Sequence, residues 1–276
     1  MSTQRGKIEY VVFDMDGLLS ELRGAAERLT LQCEKRMTDC GTDNSDTERI
    51  YTDVTNQILG RYGLTMTWEI KAGLMGKVQR ESCEYLYSHF PGLEDKLSID
   101  DYLAERVVMQ DAAFRAVPPM RGAVALVQGL HAAGIPIALA TGSTKFNYDL
   151  KTGHLPELFD KFHPDCIITG DSPLIAPGRG KPKPDIFLAA ARSLGQDVGD
   201  AENCTTAQKE QRARGLVFED AKLGVMAGVA ADMNVVWVPE AELVALNPGE
   251  NYGAKQTLEH LEEWNSTEWG LPPIQF

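Results

Sequence analysis

The sequence predicts an α/β fold: a parallel sheet of about five strands, with an all-helical region inserted between the first strand and the second. Three observations carry this expectation. Residues 8–13 form a nearly all-apolar run without alternation, as in a strand covered on both faces. Beyond Val117-Pro118-Pro119, short apolar runs alternate with helical stretches, the grammar of right-handed βαβ units. Between these two regions, residues 46–117 carry helical periodicity that no strand signal interrupts.

Composition bounds what such a chain does. Its 276 residues are 43% hydrophobic, enough for one large domain or two modest ones around an ordinary core. The opening MSTQRGKIEY lacks the apolar run of a signal peptide, and no stretch approaches the roughly 20 apolar residues of a membrane helix, so a cytoplasmic location is expected. A formal net charge of −13 argues against nucleic acid or an anionic membrane as partner. A monomer acting on a small molecule is the expectation. The five cysteines show no C-x-x-C pairing and the five histidines no i, i+4 spacing, so neither a disulfide framework nor a zinc site is indicated.

In chain order, residues 1–19 carry the first strand and the turn after it. Residues 20–45 are polar, with Leu22, Ala26 and Leu29 at helical spacing, and read as a weak surface helix and a loose loop, a flexible insertion. Ser45-Asp46-Thr47-Glu48 is a capping-box pattern that starts a helix with Ile50, Val54, Ile58 and Tyr62 on its buried stripe and Gly63 placed to stop it. Helices follow over 78–90 and 99–114, the latter with Leu103 and Val107 inward. From 118 to 276, strands are expected at 135–140, 166–169, 216–218 and 234–238, with loops over 170–184 and 196–214. Leu258, Leu261 and Trp264 mark a short helix before a tail that packs back or frays.

Parallel sheets place their chemistry beyond the carboxyl ends of the strands. After the first apolar run come Asp14, Asp16 and Gly17; residues two apart leave a strand on the same side, and the glycine permits a sharp turn. After the second run stand Thr141-Gly142-Ser143, in the loop beyond the third Lys181, and after the fourth Glu219-Asp220. Each has a bland reading alone: a chance D-x-D at a solvated strand end, a helix cap, a solvated lysine, exposed acids. Converging on one edge, four acids and a lysine would repel one another unless a divalent cation and an anionic ligand were bound there.

The order D-x-D-G, T-G-S, K-P in a Pro-rich loop and V-F-E-D resembles the haloacid dehalogenase superfamily of phosphotransferases over nearly the whole chain. FDMDGLL, DTERIY, LMGK, GIPIALAT, GKPKPDIF, LVFEDA and WGLP look like its pseudouridine 5'-phosphatase branch, related to sugar-phosphate phosphatases and β-phosphoglucomutase. The resemblance implies a Rossmann-like core of residues 1–19 and 118–276, and a helical cap domain of residues 46–117. It implies that Asp14 is the nucleophile, forming an aspartyl-phosphate, and that Asp16 is the general acid and base. Magnesium would be held by Asp14, the Asp16 carbonyl and Asp220, with Glu219 nearby. Thr141, the Gly142 amide and Lys181 would hold the phosphoryl oxygens. In the cap, Lys77 and Arg80 are candidates for substrate contact, against an equal reading as a solvated basic helix start.

The reaction expected is magnesium-dependent hydrolysis of a small phosphomonoester, pseudouridine 5'-phosphate or a sugar or polyol phosphate. A phosphomutase and a catalytically dead binding protein are the alternatives. Residues 20–45 depart from the family pattern, as do Lys183, where a carboxylate is common, and Asp232, where a glycine is usual and a left-handed backbone is expected.

Overall fold

The computed structural model describes residues 7–20, 46–74, 79–246 and 248–276. The expectations for 21–45, for the Ser45 cap and for the Met75-Gly76 turn with Lys77 lie outside the described residues. The described residues fall into two compact units, one of residues 7–20 with Pro118–Phe276 and the other of Asp46–Val117.

The first unit is built on a sheet of six parallel strands in the order β3-β2-β1-β4-β5-β6, one more than expected. The strands are β1 (Tyr10–Phe13), β2 (Ile137–Ala140), β3 (Ile167–Ile168), β4 (Gly215–Glu219), β5 (Asn234–Trp237) and β6 (Gln256–Thr257). β1 is central, with Phe13 in register with Leu139 on one side and Phe218 on the other. Its unbroken apolar run has a direct cause. Val11 and Phe13 join a core with Leu126, Leu130, Phe162 and Trp264 on one face, while Tyr10 and Val12 join Phe187, Ala190 and Val235 on the other. Phe13 and Phe218 stack at 5.2 Å between centroids, and Trp264 meets Phe218 edge-on at 5.0 Å.

Helices cover both faces, as parallel sheets require. α5 (Ala123–Ala132) buries Leu126, Val127 and Leu130 on the Phe13 side, and α8 (Asp185–Ser193) and α10 (Lys222–Ala230) bury Phe187 and Val225 on the other. Between β2 and β3 lie α6 (Lys145–Thr152) and α7 (Pro156–Phe159). α11 (Ala241–Leu246) follows β5.

Several expectations are corrected. Residues 196–214 are not all loop, because Thr205 and Gln208 form a capping box that starts α9 (Thr206–Arg212). The expected short helix near the end is instead β6 followed by a single 3₁₀ turn, Leu261–Glu263. The tail packs back: Trp269 is fully buried, and its carbonyl accepts from the Ile8 amide at 3.2 Å. Ser20 belongs to the core and not to an excursion; it is fully buried and pairs with Asp16 and Pro119. Asp232 adopts the expected left-handed backbone, φ 58°, with Lys209 at 3.3 Å from its carboxylate.

The second unit is helical throughout its described residues. It contains α1 (Asp46–Gly60), α2 (Trp68–Leu74), α3 (Gln79–Ser88) and α4 (Ile99–Phe114). Ile50, Val54 and Ile58 are buried along α1, and α4 begins at Ser98, whose hydroxyl accepts from the Asp101 amide. On α4 the inward face carries Tyr102, Gln110 and Phe114; Leu103 is half-buried and Val107 exposed, against expectation. Tyr102 and Thr55 share a hydrogen bond of 2.9 Å, which ties α4 to α1.

Candidate active site

The carboxyl ends of β1, β2 and β4 reach the same edge of the sheet, and the side chains there determine its chemistry. Asp14 follows β1, and its amide donates to the Phe218 carbonyl at 3.1 Å, so the sheet ladder continues to the carboxylate itself. Gly17 then turns the chain back with φ 77°, its amide donating to the Ser20 carbonyl at 3.0 Å. Glu219 ends β4, and Asp220 follows it.

Asp14, Glu219 and Asp220 are all buried, and each can offer a carboxylate oxygen to a common point, these atoms lying within 4.8 Å of one another. Lys181 reaches into the group from the loop before α8. Its ammonium hydrogen-bonds Asp14 Oδ1 and lies 2.6 Å from Glu219 Oε1. The second Glu219 oxygen accepts the Ala221 amide at 2.8 Å. Burial pushes the Asp14 carboxyl up to about 7; Lys181 opposes the rise, and Glu219 and Asp16 add to it. Burial pulls Lys181 down, but Asp14 and Glu219 outweigh that and hold it above its ordinary value. Three buried carboxylates against one ammonium leave excess negative charge, and the oxygen donors suit a hard divalent cation, so the residues fit one.

Thr141 is fully buried beyond β2, and its hydroxyl accepts the Ser143 amide at 3.0 Å. The Gly142 carbonyl packs so closely on Gly170 that a Cβ there would lie 2.3 Å from it, which fixes the turn that carries the Gly142 amide. Asp16 points elsewhere than Asp14. Its Oδ2 accepts from the Ser143 hydroxyl at 2.7 Å and its Oδ1 from the Lys151 ammonium at 2.9 Å. The expected residues Asp14, Thr141, Gly142, Lys181, Glu219 and Asp220 thus share one unit and one sheet edge, while the Asp16 carboxylate is not part of the acidic cluster.

Arg80 belongs to the other unit. It is exposed near the start of α3, and its guanidinium pairs with Asp100 at 3.0 Å and Glu84 at 3.5 Å. Sequence reasoning missed Lys151 altogether and gave Ser143 no role. The available signal was a lysine two turns after a capped helix start, on the side that carries Tyr148.

Glu219 is seated against the backbone of α10. A Cβ on Gly224 would fall 1.5 Å from Glu219 Oε1, closer than any real contact. Gly224→Ala is expected to destabilise the protein by about 1–3 kcal/mol through overpacking. It should also lower turnover by displacing the carboxylate that holds Lys181. Urea denaturation and turnover of an aryl phosphate measure the two effects; wild-type values for both would mean that Glu219 moves freely.

A family profile for haloacid dehalogenase-like hydrolases matches residues 8–232. Among curated proteins, (DL)-glycerol-3-phosphatase 2 of Arabidopsis thaliana is 36% identical over 271 residues, covering 98% of this chain and 95% of the relative. A "probable pseudouridine-5'-phosphatase" of Saccharomyces cerevisiae is 32% identical over 268 residues, covering 96% of this chain and 98% of the relative. Among solved structures, a HAD hydrolase of family IA, variant 3, from Entamoeba histolytica superposes with a TM-score of 0.61 at 20% identity, over 95% of this chain and 97% of that one. At that identity the likeness shows the fold. The profile spans most of the chain, and the relatives match it from end to end. The chain belongs to the haloacid dehalogenase-like hydrolase family and is one of its phosphatases.

Proposed function

We propose that the protein is a magnesium-dependent phosphatase of small phosphomonoesters that works through a phosphorylated Asp14. The observation that carries the reading is the buried Asp14 carboxylate at a strand end, paired with Lys181 and grouped with Glu219 and Asp220. A carboxylate attacks a phosphate dianion only where positive charge offsets their repulsion, and Lys181 brings such charge to the attacking oxygen. An Asp14 oxygen forms its bond to phosphorus as the ester P–O bond breaks, and the departing alkoxide takes a proton from Asp16. Water then attacks the phosphorus and gives a proton back to Asp16. The Asp14–phosphorus bond breaks and phosphate leaves. Thr141 and the Gly142 amide serve as donors to the phosphoryl oxygens.

Magnesium would be held by Asp14 and Asp220 with the Asp16 carbonyl, Glu219 standing by, and would offset the negative charge of the phosphate. Phosphate release from an aryl phosphate should therefore require magnesium and stop in excess chelator. Equal rates in the two conditions would sink the metal assignment.

Residues 46–117 are assigned as a cap that chooses the leaving group, with Lys77 and Arg80 as contacts, on the family resemblance. The relatives name two substrate types, glycerol phosphate and pseudouridine 5'-phosphate. The motif resemblance favours pseudouridine 5'-phosphate, and the glycerol-3-phosphatase relative, 36% identical against 32%, puts glycerol phosphate beside it as the second to test. A panel of polyol, sugar and nucleoside monophosphates ranked by kcat/KM measures the choice. Arg80→Ala and Lys77→Ala are each expected to reorder that ranking while changing aryl phosphate turnover little; an unchanged order would place specificity elsewhere.

A further inference from the structure

We infer that Lys151, acting with Ser143, is a positioning residue for Asp16, holding its carboxyl group in one place and orientation for exchanging a proton with the leaving oxygen. The inference rests on the function proposed above and adds to it a part played by helix α6.

The three groups close a triangle. Lys151 Nζ stands 2.9 Å from Asp16 Oδ1 and 3.0 Å from Ser143 Oγ, and Ser143 Oγ stands 2.7 Å from Asp16 Oδ2. A carboxylate on a turn rotates about two side-chain bonds; tying one oxygen to an ammonium and the other to a hydroxyl stops both rotations. The brace is itself anchored. Thr144 caps α6 directly after Ser143, the Ser143 amide donates to Thr141 Oγ1 at 3.0 Å, and the Ser143 carbonyl accepts from Gly170 at 2.9 Å. Asp16 is thereby tied to the segment that carries Thr141 and Gly142.

Stability alone gives no reason for this lysine. Its side chain is fully buried, whereas that of Asp16 keeps 16% of its surface exposed. Burying an ammonium with its carboxylate carries a desolvation cost that a pair of apolar side chains would avoid, and replacing such a pair as a whole is often neutral or stabilising. An ammonium kept in that position, in contact with the one carboxylate of the D-x-D that stands outside the acidic cluster, points to a task in the reaction. That task differs from the one given to Lys181, which touches Asp14 and Glu219.

The test separates esters by how much they need a proton. An aryl phosphate has a leaving group that departs without protonation, whereas an alkyl phosphate such as glycerol phosphate needs one. With enzyme in excess, release of the alcohol reports phosphoryl transfer to Asp14 alone. Lys151→Met is expected to slow alkyl phosphate cleavage by about 10²-fold, the cost of a misplaced reacting group, with the half-saturating enzyme concentration unchanged. Aryl alcohol release should fall only a few-fold. Ser143→Ala should show the same pattern with a smaller loss, and it provides the comparison if Lys151→Met does not fold. Equal losses on both esters would make the brace a structural element only, and no loss on either would remove it from the reaction; both results overturn the inference. Wild-type protein that cleaves neither ester would instead overturn the phosphatase reading beneath it.

Discussion

Asp14→Asn is expected to lose turnover of any phosphomonoester by roughly 10³-fold or more, because it removes the oxygen that forms the covalent intermediate. Asn keeps the shape of the side chain but lacks an anionic oxygen to attack phosphorus. The Glu219 carboxylate is no substitute, since one oxygen lies beside Lys181 and the other accepts the Ala221 amide. The fold should survive. Asp14 is buried and its carboxyl is pushed up to about 7, the mark of a charge that burial disfavours, so removing that charge relieves a strain in the metal-free protein. The melting temperature in chelator should therefore be unchanged or slightly higher while activity disappears. Residual turnover above about one per cent of wild type would show that Asp14 is not the nucleophile.

The parts of the fold that were legible in the sequence are those whose residues face two cores at once. β1, β2 and, up to Phe218, β4 sit inside the sheet, so their side chains meet apolar neighbours on both faces and the sequence shows short apolar runs. β6 lies at the sheet edge and consists of Gln256 and Thr257, partly exposed, and nothing in so short a polar pair distinguishes strand from loop. α9 is amphipathic only weakly, with Arg212 as its buried residue, so its polarity hid a capping box that was present in the letters. Val107 misled in the opposite sense. Its spacing suits an inward stripe, but α4 turns Tyr102 and Gln110 inward and leaves Val107 and Val108 exposed.

The candidate site divides in the same way. Asp14, Thr141, Lys181 and the Glu219-Asp220 pair could be picked out because a parallel sheet delivers the residues after its strands to one edge, and polar residues directly after apolar runs stand out. Lys151 could not be. A lysine in a helix is almost always solvated, and its burial here depends on Asp16 and Ser143, which stand 135 and 8 residues away in sequence. The direction of the Asp16 side chain was equally hidden. Period-two alternation places Asp14 and Asp16 on one side of a strand, but β1 ends at Phe13, before either residue, and the Asp16 carboxylate meets Lys151 of α6.

Lys181→Met is expected to cost both stability and activity, for one electrostatic reason. Lys181 is the cation between two buried carboxylates, in contact with Asp14 and 2.6 Å from Glu219. Without it both acids lose their counter-charge, and stripping one partner from a buried ion pair costs about 3–5 kcal/mol. In chelator the melting temperature should fall by about 5–10 °C. Added magnesium should restore part of this loss, since a divalent cation at Asp14, Glu219 and Asp220 replaces the missing charge. It should not restore turnover, because Lys181 also stabilises charge that grows on the phosphoryl group; a loss of about 10²–10³-fold is expected. The sign of the pH dependence follows from Asp14. Its carboxyl already stands at about 7 with Lys181 beside it, and removing the ammonium moves it higher still. In chelator the melting temperature of the variant should therefore go on falling as pH rises above neutrality, where that of the wild type levels off, because a carboxyl held above its unfolded value loses stability as pH rises up to its folded value. A variant with wild-type stability in chelator and a wild-type pH profile would show that Asp14 and Glu219 do not depend on Lys181 for their charge.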